Sequence, residues 1–581
     1  MVLSLDCLPE ELLQQILYYC QPHSTAALEQ TARRFRGVTN EPTVWRYYCL
    51  TRFKFWAPGH EISRRLVGPI SGSSWKQLYI VKHSSYRATT RLLDSILSSQ
   101  AGRIEKFQAI IDLGYDAKDA LLHNISAGSN MDDHLARRYY ARAVLTGLHR
   151  SLAIREWAKL RNGDNVSLSR ALGAFDLFIP ESGFGSLDEI IVELDDIMSS
   201  IIKSHPDIHL LTCRDKARTI ATFLRTNNFT GIEPGRGYHR LEHNFIGVSL
   251  NDPAHNSLPL ISAAIYCHVA RGLGLDARPC GFPFHVHVIV VPPIGFDVDG
   301  HELEAGTQGH PIYMDPFRSD KETPIADLQN QLNFLGASTA EQSTFLGESQ
   351  VPEIVLRCAK NILNSLQRGS NFLGVRSASV DLVSAKYAAV WSSMLLSDPA
   401  RPIELKHSLT CLMELLAMEF PSDVNLVQRF ITPLFYGMAE YDNILESLHV
   451  MRAVDGIPRE VKERSPRHGT VKYKIGQVFM HRRYAYRAII TGWDVECGAG
   501  EQWMRRMGVD RLQDGRHQSF YHVLVEDKSF RYVAEENIEP FVTDITDLPH
   551  SLVATAGKHF KRWDVDRRVF VSNIRDEYPN D

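Results

Sequence analysis

Residues 259–290 read PLISAAIYCHVARGLGLDARPCGFPFHVHVIV. The first part, through Leu275, mixes small and apolar residues and reads as a helix. HVHVIVVP (285–292) alternates and is rich in β-branched residues, as is PIYMDPF (311–317), so both read as strands. Upstream, SLDEIIVELDDIMSSIIKS (186–204) has the apolar spacing of a helix. Helices followed by strands make an α+β domain, taken here as 173–325, rather than a doubly wound sheet.

Helical patterns resume over 326–455 in VPEIVLRCAKNILNSLQ, KYAAVWSSMLL and IELKHSLTCLMELLAM, a helical extension of this middle domain. Before it, 73–172 is an amphipathic helical linker region, with Asp132 as the expected N-cap of HLARRYYARAVLTGLHRSLAIREWAKL. Pro58, Gly59, Gly68, Pro69 and Gly72 mark a connection at 57–72, and GIPREVKERSPRHGT marks a second at 456–470. Over 471–545 the segments KIGQVFMHR, AYRAIITGWD, FYHVLVED and FRYVAEENIEPF predict a small β-barrel. The whole is a multidomain α+β chain.

The 581 residues suit three or four folded units of about 150 residues each. A net charge of −4 predicts no general attraction to nucleic acid or acidic membranes. Nine dispersed cysteines without a C-x-x-C pair point to a reduced compartment, cytoplasmic or nuclear. The opening MVLSLDCLPEELLQQIL has no basic n-region and is not read as a signal peptide. No apolar run of about 18 residues suggests a membrane span.

The N-terminal 56 residues read as short helices. Pro9 sits at a helix start, Glu10 and Glu11 suit its first turn, and Leu12, Leu13, Ile16 and Leu17 form an apolar face. Pro22 and His23–Ser24 break that helix, and TAALEQTARRFRGV forms a second. The order Leu8-Pro9, Leu12, Ile16-Leu17, Arg33-Arg34-Phe35 and Trp45 closely resembles an F-box, with Thr31-Ala32 where that family often has Val-Ser. The resemblance implies docking on a Skp-type adaptor, which bridges to a cullin scaffold. The expected contact residues are Leu8, Pro9, Leu12, Ile16, Leu17 and Trp45. A motif this short buries too little apolar surface to stand alone, so a partner's helices could cover the surplus.

Residues 226–317 resemble the transglutaminase-like domain of the SirB family through YHRLEHNFIGVSL, the 259–290 stretch and YMDPF. In the parent enzymes a Cys at a helix start attacks an amide, a His activates it and an Asp orients the His. The resemblance places the His at His285 and the Asp at Asp315, and it puts Ile261 at the nucleophile position. Ile has no atom that can attack, so His285 and Asp315 are expected to be vestigial and the domain a binding platform. Ser262, Cys267 and Cys280 are the nearby heteroatoms. Ser262 is about 100° further round the helix, Cys267 reads as core, and Cys280 lies off the helix start. His285 and His287 alternate and so face one side, but a metal needs a third ligand and none declares itself. His239-Arg-Leu-Glu242-His243 matches H-x-x-E-H, a weak five-residue pattern. Neither metal nor cofactor is expected.

The last segment resembles the YccV/HspQ type, often labelled hemimethylated-DNA-binding, through Gly476, His481, Tyr484, Tyr486, Gly492, Trp493, Asp494, Phe520, Tyr521, Tyr532 and Asn537, with Ser519 where the family usually has Pro. Val478, Tyr486, Ile489, Val523 and Val525 read as barrel interior. Over 471–542, eleven Lys/Arg against ten Asp/Glu is not the basic surplus of a DNA binder, although Arg482, Arg483 and Arg487 could form a small patch. Protein recognition suits the module better, with Tyr484, Tyr486 and Tyr521 as its expected surface.

The three resemblances together imply a substrate-recognition subunit of an SCF ubiquitin ligase. Its partners would be the adaptor, the cullin and a protein target, with no membrane. Two rivals use the same residues: a hydrolase or transglutaminase built on His285 and Asp315, and a DNA-binding adaptor acting through the C-terminal domain.

Overall fold

The computed structural model describes residues 5–180, 183–232, 237–238, 240–369, 380–398, 402–464, 471–574 and 576–581. The chain forms two compact units, one of residues 1–148 and 448–581, the other of residues 149–447.

The first unit opens with helices Glu10–Tyr19, Pro22–Glu29, Arg33–Thr39 and Pro42–Arg52. Pro9 is the N-cap of the first, and Glu10 and Glu11 occupy its first turn as expected. Pro22 opens the second helix at its first position rather than only ending the first. The expected single helix TAALEQTARRFRGV is two helices. The Thr31 hydroxyl bonds back to the Leu28 carbonyl (2.8 Å), and Ala32 is extended.

Leu13, Leu17, Phe35, Val38, Trp45 and Tyr48 share one core with Trp75, Leu78 and Tyr79 of the following helix Trp75–Ser98. The short head is thus completed in part by its own chain. Ile62, Leu66 and Ile70, within the stretch expected to be a connection, pack against that core. Further in, the fully buried Lys82 lies 3.2 Å from Asp116 and 3.1 Å from Asp119, so no charge there is left alone.

The second unit is α+β. Its sheet contains β1 (Asp276–Pro279), β2 (Val288–Val291), β3 (Ile312–Met314) and β4 (Glu322–Thr323), in the order β1-β2-β3-β4. All neighbours are antiparallel, with Asp276 opposite Val291 and Val288 opposite Met314. The helix Pro259–Gly272 packs on β1 and β2 and is buried from Pro259 to Cys267, which explains its lack of a polar face. Helices Val351–Gly369, Leu382–Leu396 and Pro402–Met418 continue the domain.

The C-terminal part of the first unit contains β5 (Val478–His481), β6 (Arg487–Asp494), β7 (Phe520–Val525), β8 (Phe530–Ala534) and β9 (Ile538–Pro540). They form one antiparallel sheet, order β8-β7-β6-β5-β9. Among the described residues no pairing joins β8 to β9, so this is an open sheet and not the closed barrel expected. The edge strand β9 is three residues long and ends in Pro540, which has no N–H to offer another strand.

The core of this sheet extends beyond residue 545. Phe560, Trp563 and Phe570 of the hairpin β10 (Phe560–Asp564) and β11 (Val569–Ser572) join it. Gly476 makes this closure feasible: its φ is +89°, and a Cβ there would lie 1.9 Å from the Phe570 carbonyl oxygen. Within the second expected connection, residues 465–470 lie outside the described residues.

Candidate functional site

The turn between β1 and β2 positions the first group. The Gly281 amide donates to the Gly347 carbonyl (3.0 Å), and Arg357 Nη2 donates to the Phe282 carbonyl (2.9 Å). Phe284 has φ +63°, a left-handed conformation costly for an aromatic residue, and its ring is exposed. The next residue, His285, is turned inward and buried. Asp315 directly follows β3, and its Oδ1 accepts from the Arg318 amide (3.2 Å).

His285 Nε2 and Asp315 Oδ1 are 2.9 Å apart. The distance suits a hydrogen bond, but the N–H direction misses the carboxylate, and neither ring nitrogen of His285 has an aligned partner. His287 stands on the other side, its Nε2 4.0 Å from Asp315 Oδ2. Its Nδ1 lies 3.2 Å from the His285 carbonyl, which can only accept, so Nδ1 carries the hydrogen. Burial pulls His287 down to about 4, against the attraction of Asp315. Burial alone would raise the Asp315 carboxyl, but the contact with His285, the charge of His287 and the Arg318 amide hold it below its ordinary value.

The sequence reading joined His285 to Asp315 and missed His287 as a neighbour of the same carboxylate. The signal lay in the strand register: Val288 opposite Met314 brings residue 287 beside residue 315. Ile261 is buried in the first turn of the helix Pro259–Gly272. Ser262 Oγ is occupied by the Gly231 amide (3.1 Å) and the Ser257 hydroxyl (2.7 Å). Cys267 is buried and its thiol pushed up to about 12, while Cys280 is pushed up to about 11 by burial and donates to the Phe345 carbonyl (3.2 Å). Both are therefore neutral thiols at neutral pH.

A cavity of about 330 Å³ adjoins the site, lined in part by Leu258, Pro259, Phe284, Val286, Arg357 and Lys360. His239 of the H-x-x-E-H pattern lies outside the described residues. Of its other members, Glu242 pairs with Arg240 (2.9 Å) and His243 is buried.

The N-terminal contact residues divide into two groups. Leu17 and Trp45 are core. Trp45 Nε1 donates to the Thr39 carbonyl (2.6 Å), and the ring lies 5.3 Å from Tyr79. These two are corrected from docking residues to packing residues: Leu17 lies on the stripe of the first helix that faces its own domain, and Trp45, on the helix Pro42–Arg52, packs into the same core. Leu8 is half-buried and Pro9 exposed. Leu12 and Ile16 are 45% and 41% exposed, and Tyr19 is 93% exposed. The spacing of these three places them on one helix stripe. Tyr47, also exposed, lies beside Tyr18 (4.7 Å).

In the C-terminal sheet, Tyr484 is exposed and Tyr486 half-buried, with near-parallel rings 6.5 Å apart. Tyr521 is corrected from surface to core. It is fully buried, and its hydroxyl accepts from the Lys472 and Tyr473 amides (both 3.1 Å). Arg487 of the expected basic patch is tied to Glu526 (3.1 Å).

Comparison with known proteins gives three matches. Residues 5–51 match the F-box-like family, residues 188–360 the transglutaminase-like superfamily, and residues 471–567 the family described as hemimethylated DNA-binding protein YccV like. F-box only protein 21 of Mus musculus is 29% identical over 333 residues, covering 56% of this chain and 49% of that protein. Its Homo sapiens counterpart is 28% identical over the same length, with 56% and 49% covered. The chain thus spans about half the length of the curated relatives it matches. No solved structure matches it.

Proposed function

We propose that this chain, which carries F-box-like, transglutaminase-like and YccV-like domains and is homologous over its middle region to F-box only protein 21, is the substrate-recognition subunit of an SCF ubiquitin ligase. The observation that carries this reading is the divided first helix. Leu13 and Leu17 are buried in the chain's own core, while Leu12, Ile16 and Tyr19 stand in solvent. An apolar stripe left uncovered beside a finished core is what a helix-in-groove partner needs. The partner is the Skp-type adaptor, which connects to the cullin.

The remaining domains hold a protein target, and tethering raises the local concentration of its lysines near the ubiquitin-loaded enzyme. The transglutaminase-like domain is a non-catalytic platform. Hydrocarbon occupies position 261, Ser262 is held in a structural network, and burial keeps Cys267 and Cys280 protonated. The protein works in the cytoplasm or nucleus; among the described residues no helix is long and apolar enough to cross a membrane.

The test is reconstitution with purified adaptor, cullin and RING subunits. The wild-type chain should enter the complex, and Leu12→Asp/Ile16→Asp should not while keeping its far-UV circular dichroism. A charged double variant that still assembles would remove the basis for the reading. An amide-hydrolysis and cross-linking assay, with His285→Ala alongside, tests the platform claim; activity that vanishes in that variant would refute it.

A further inference from the structure

We infer that His285, His287 and Asp315 form a binding site for one divalent transition-metal ion of the zinc type. The three residues offer ligand atoms that all lie within 4.8 Å of one another, and all three side chains are buried. Tetrahedral zinc, with bonds of about 2.0–2.1 Å, separates its ligand atoms by about 3.4 Å. The His285–Asp315 and His287–Asp315 separations of 2.9 and 4.0 Å lie on either side of that value.

The orientation of the rings is the second observation. His285 is 94% buried (6% exposed), yet neither of its nitrogens makes a hydrogen bond, although Nε2 is 2.9 Å from a carboxylate oxygen. A His–Asp pair built for proton relay would point its N–H at the oxygen. Two ligands of one ion instead approach closely with their lone pairs converging on a third point.

His287 repeats the pattern. The His285 carbonyl fixes its hydrogen on Nδ1, so in the neutral ring Nε2 presents a lone pair toward Asp315 Oδ2. Two acceptors facing each other inside a protein repel unless a cation lies between them. The backbone carbonyl on Nδ1 is also the usual outer support of a metal-bound imidazole.

Two imidazoles and one carboxylate suit zinc-type ions and not magnesium or calcium, which take shells of oxygen. Phe284 and Val286, the residues flanking His285 in the chain, line the neighbouring cavity. Three protein ligands leave a fourth position for water or for an oxygen atom of a bound peptide.

The test uses the tag-free full-length chain, stripped with a chelator. Zn²⁺ is titrated by calorimetry, and Co²⁺ is added as a spectroscopic probe. One ion per chain should bind. The Co²⁺ spectrum should be that of nitrogen and oxygen ligands, without the thiolate charge-transfer band that any of the nine cysteines would add. His287→Gln and Asp315→Asn should each weaken Zn²⁺ by about 100-fold or more, since even an outer-shell loss costs 10–100-fold. If either variant fails to fold, the wild-type stoichiometry and spectrum decide alone. Absence of binding by the wild type, a thiolate spectrum, or unchanged affinity in both folded variants would overturn the site.

Discussion

Leu12→Ala/Ile16→Ala removes the side chains proposed to enter the adaptor's groove, and the structure allows the loss to be calculated. Leu12 and Ile16 keep 45% and 41% of their surface in water. Fully burying such a side chain is worth about 1.5–3 kcal/mol, so covering the remainder yields about 1 kcal/mol each. The pair therefore contributes about 2 kcal/mol, or about 30-fold in Kd. Because neither residue belongs to the buried core, the same change should alter folding stability by less than about 0.5 kcal/mol. Leu17→Ala and Trp45→Ala should do the opposite. Both side chains are 2% exposed, and their truncation should cost about 2–5 kcal/mol of stability. The assay is calorimetric titration of purified adaptor into each variant, with urea denaturation of the same samples. An unchanged Kd in the double variant, or a stability loss equal to that of Leu17→Ala, would refute the division of the helix into a docking stripe and a packing stripe.

Arg150 and Asp423 form a buried two-pronged pair (2.7 and 2.8 Å), so Asp423→Ala, which strands the guanidinium, should lower urea-denaturation stability by about 3–5 kcal/mol; a loss below about 1 kcal/mol would contradict it. Burial raises the Asp176 carboxyl to about 7, against the amides of Gly247, Val248 and Ile246, which donate to it and favour its charged form. A folded-state value above the unfolded one means that stability is greatest below about pH 4 and falls as pH rises through about 7. Asp176→Asn should flatten that slope, by about 4 kcal/mol at most, in denaturation series run from pH 4 to 8; a wild-type profile with no difference from the variant would count against it.

Much of the architecture was legible because it rests on local chemistry. The helix Pro259–Gly272 lacks a polar face from Pro259 to Cys267 because that stretch is buried throughout. Pro9 marks a helix start through its fixed φ, as read, whereas Pro22, read as a helix breaker, also opens the next helix. The pairing of His285 with Asp315 was legible through family resemblance. Less legible was anything that depends on which neighbour covers a face. Leu12 and Leu17 look alike in sequence, and Tyr484 and Tyr521 are equally aromatic, yet in each pair one is exposed and the other buried.

Composition and periodicity thus sufficed for the α+β order of the middle domain, and family resemblance for the domain classes and for hydrocarbon at the nucleophile position 261, because propensity and covalent chemistry travel with the residue. Tertiary packing alone decided three other matters: that the C-terminal sheet stays open, that the head finishes its core with Trp75 and Tyr79, and that His287 joins His285 at Asp315. Each depends on strand register or on contact between segments far apart in the chain, and a one-residue shift in register would have turned His287 to the opposite face.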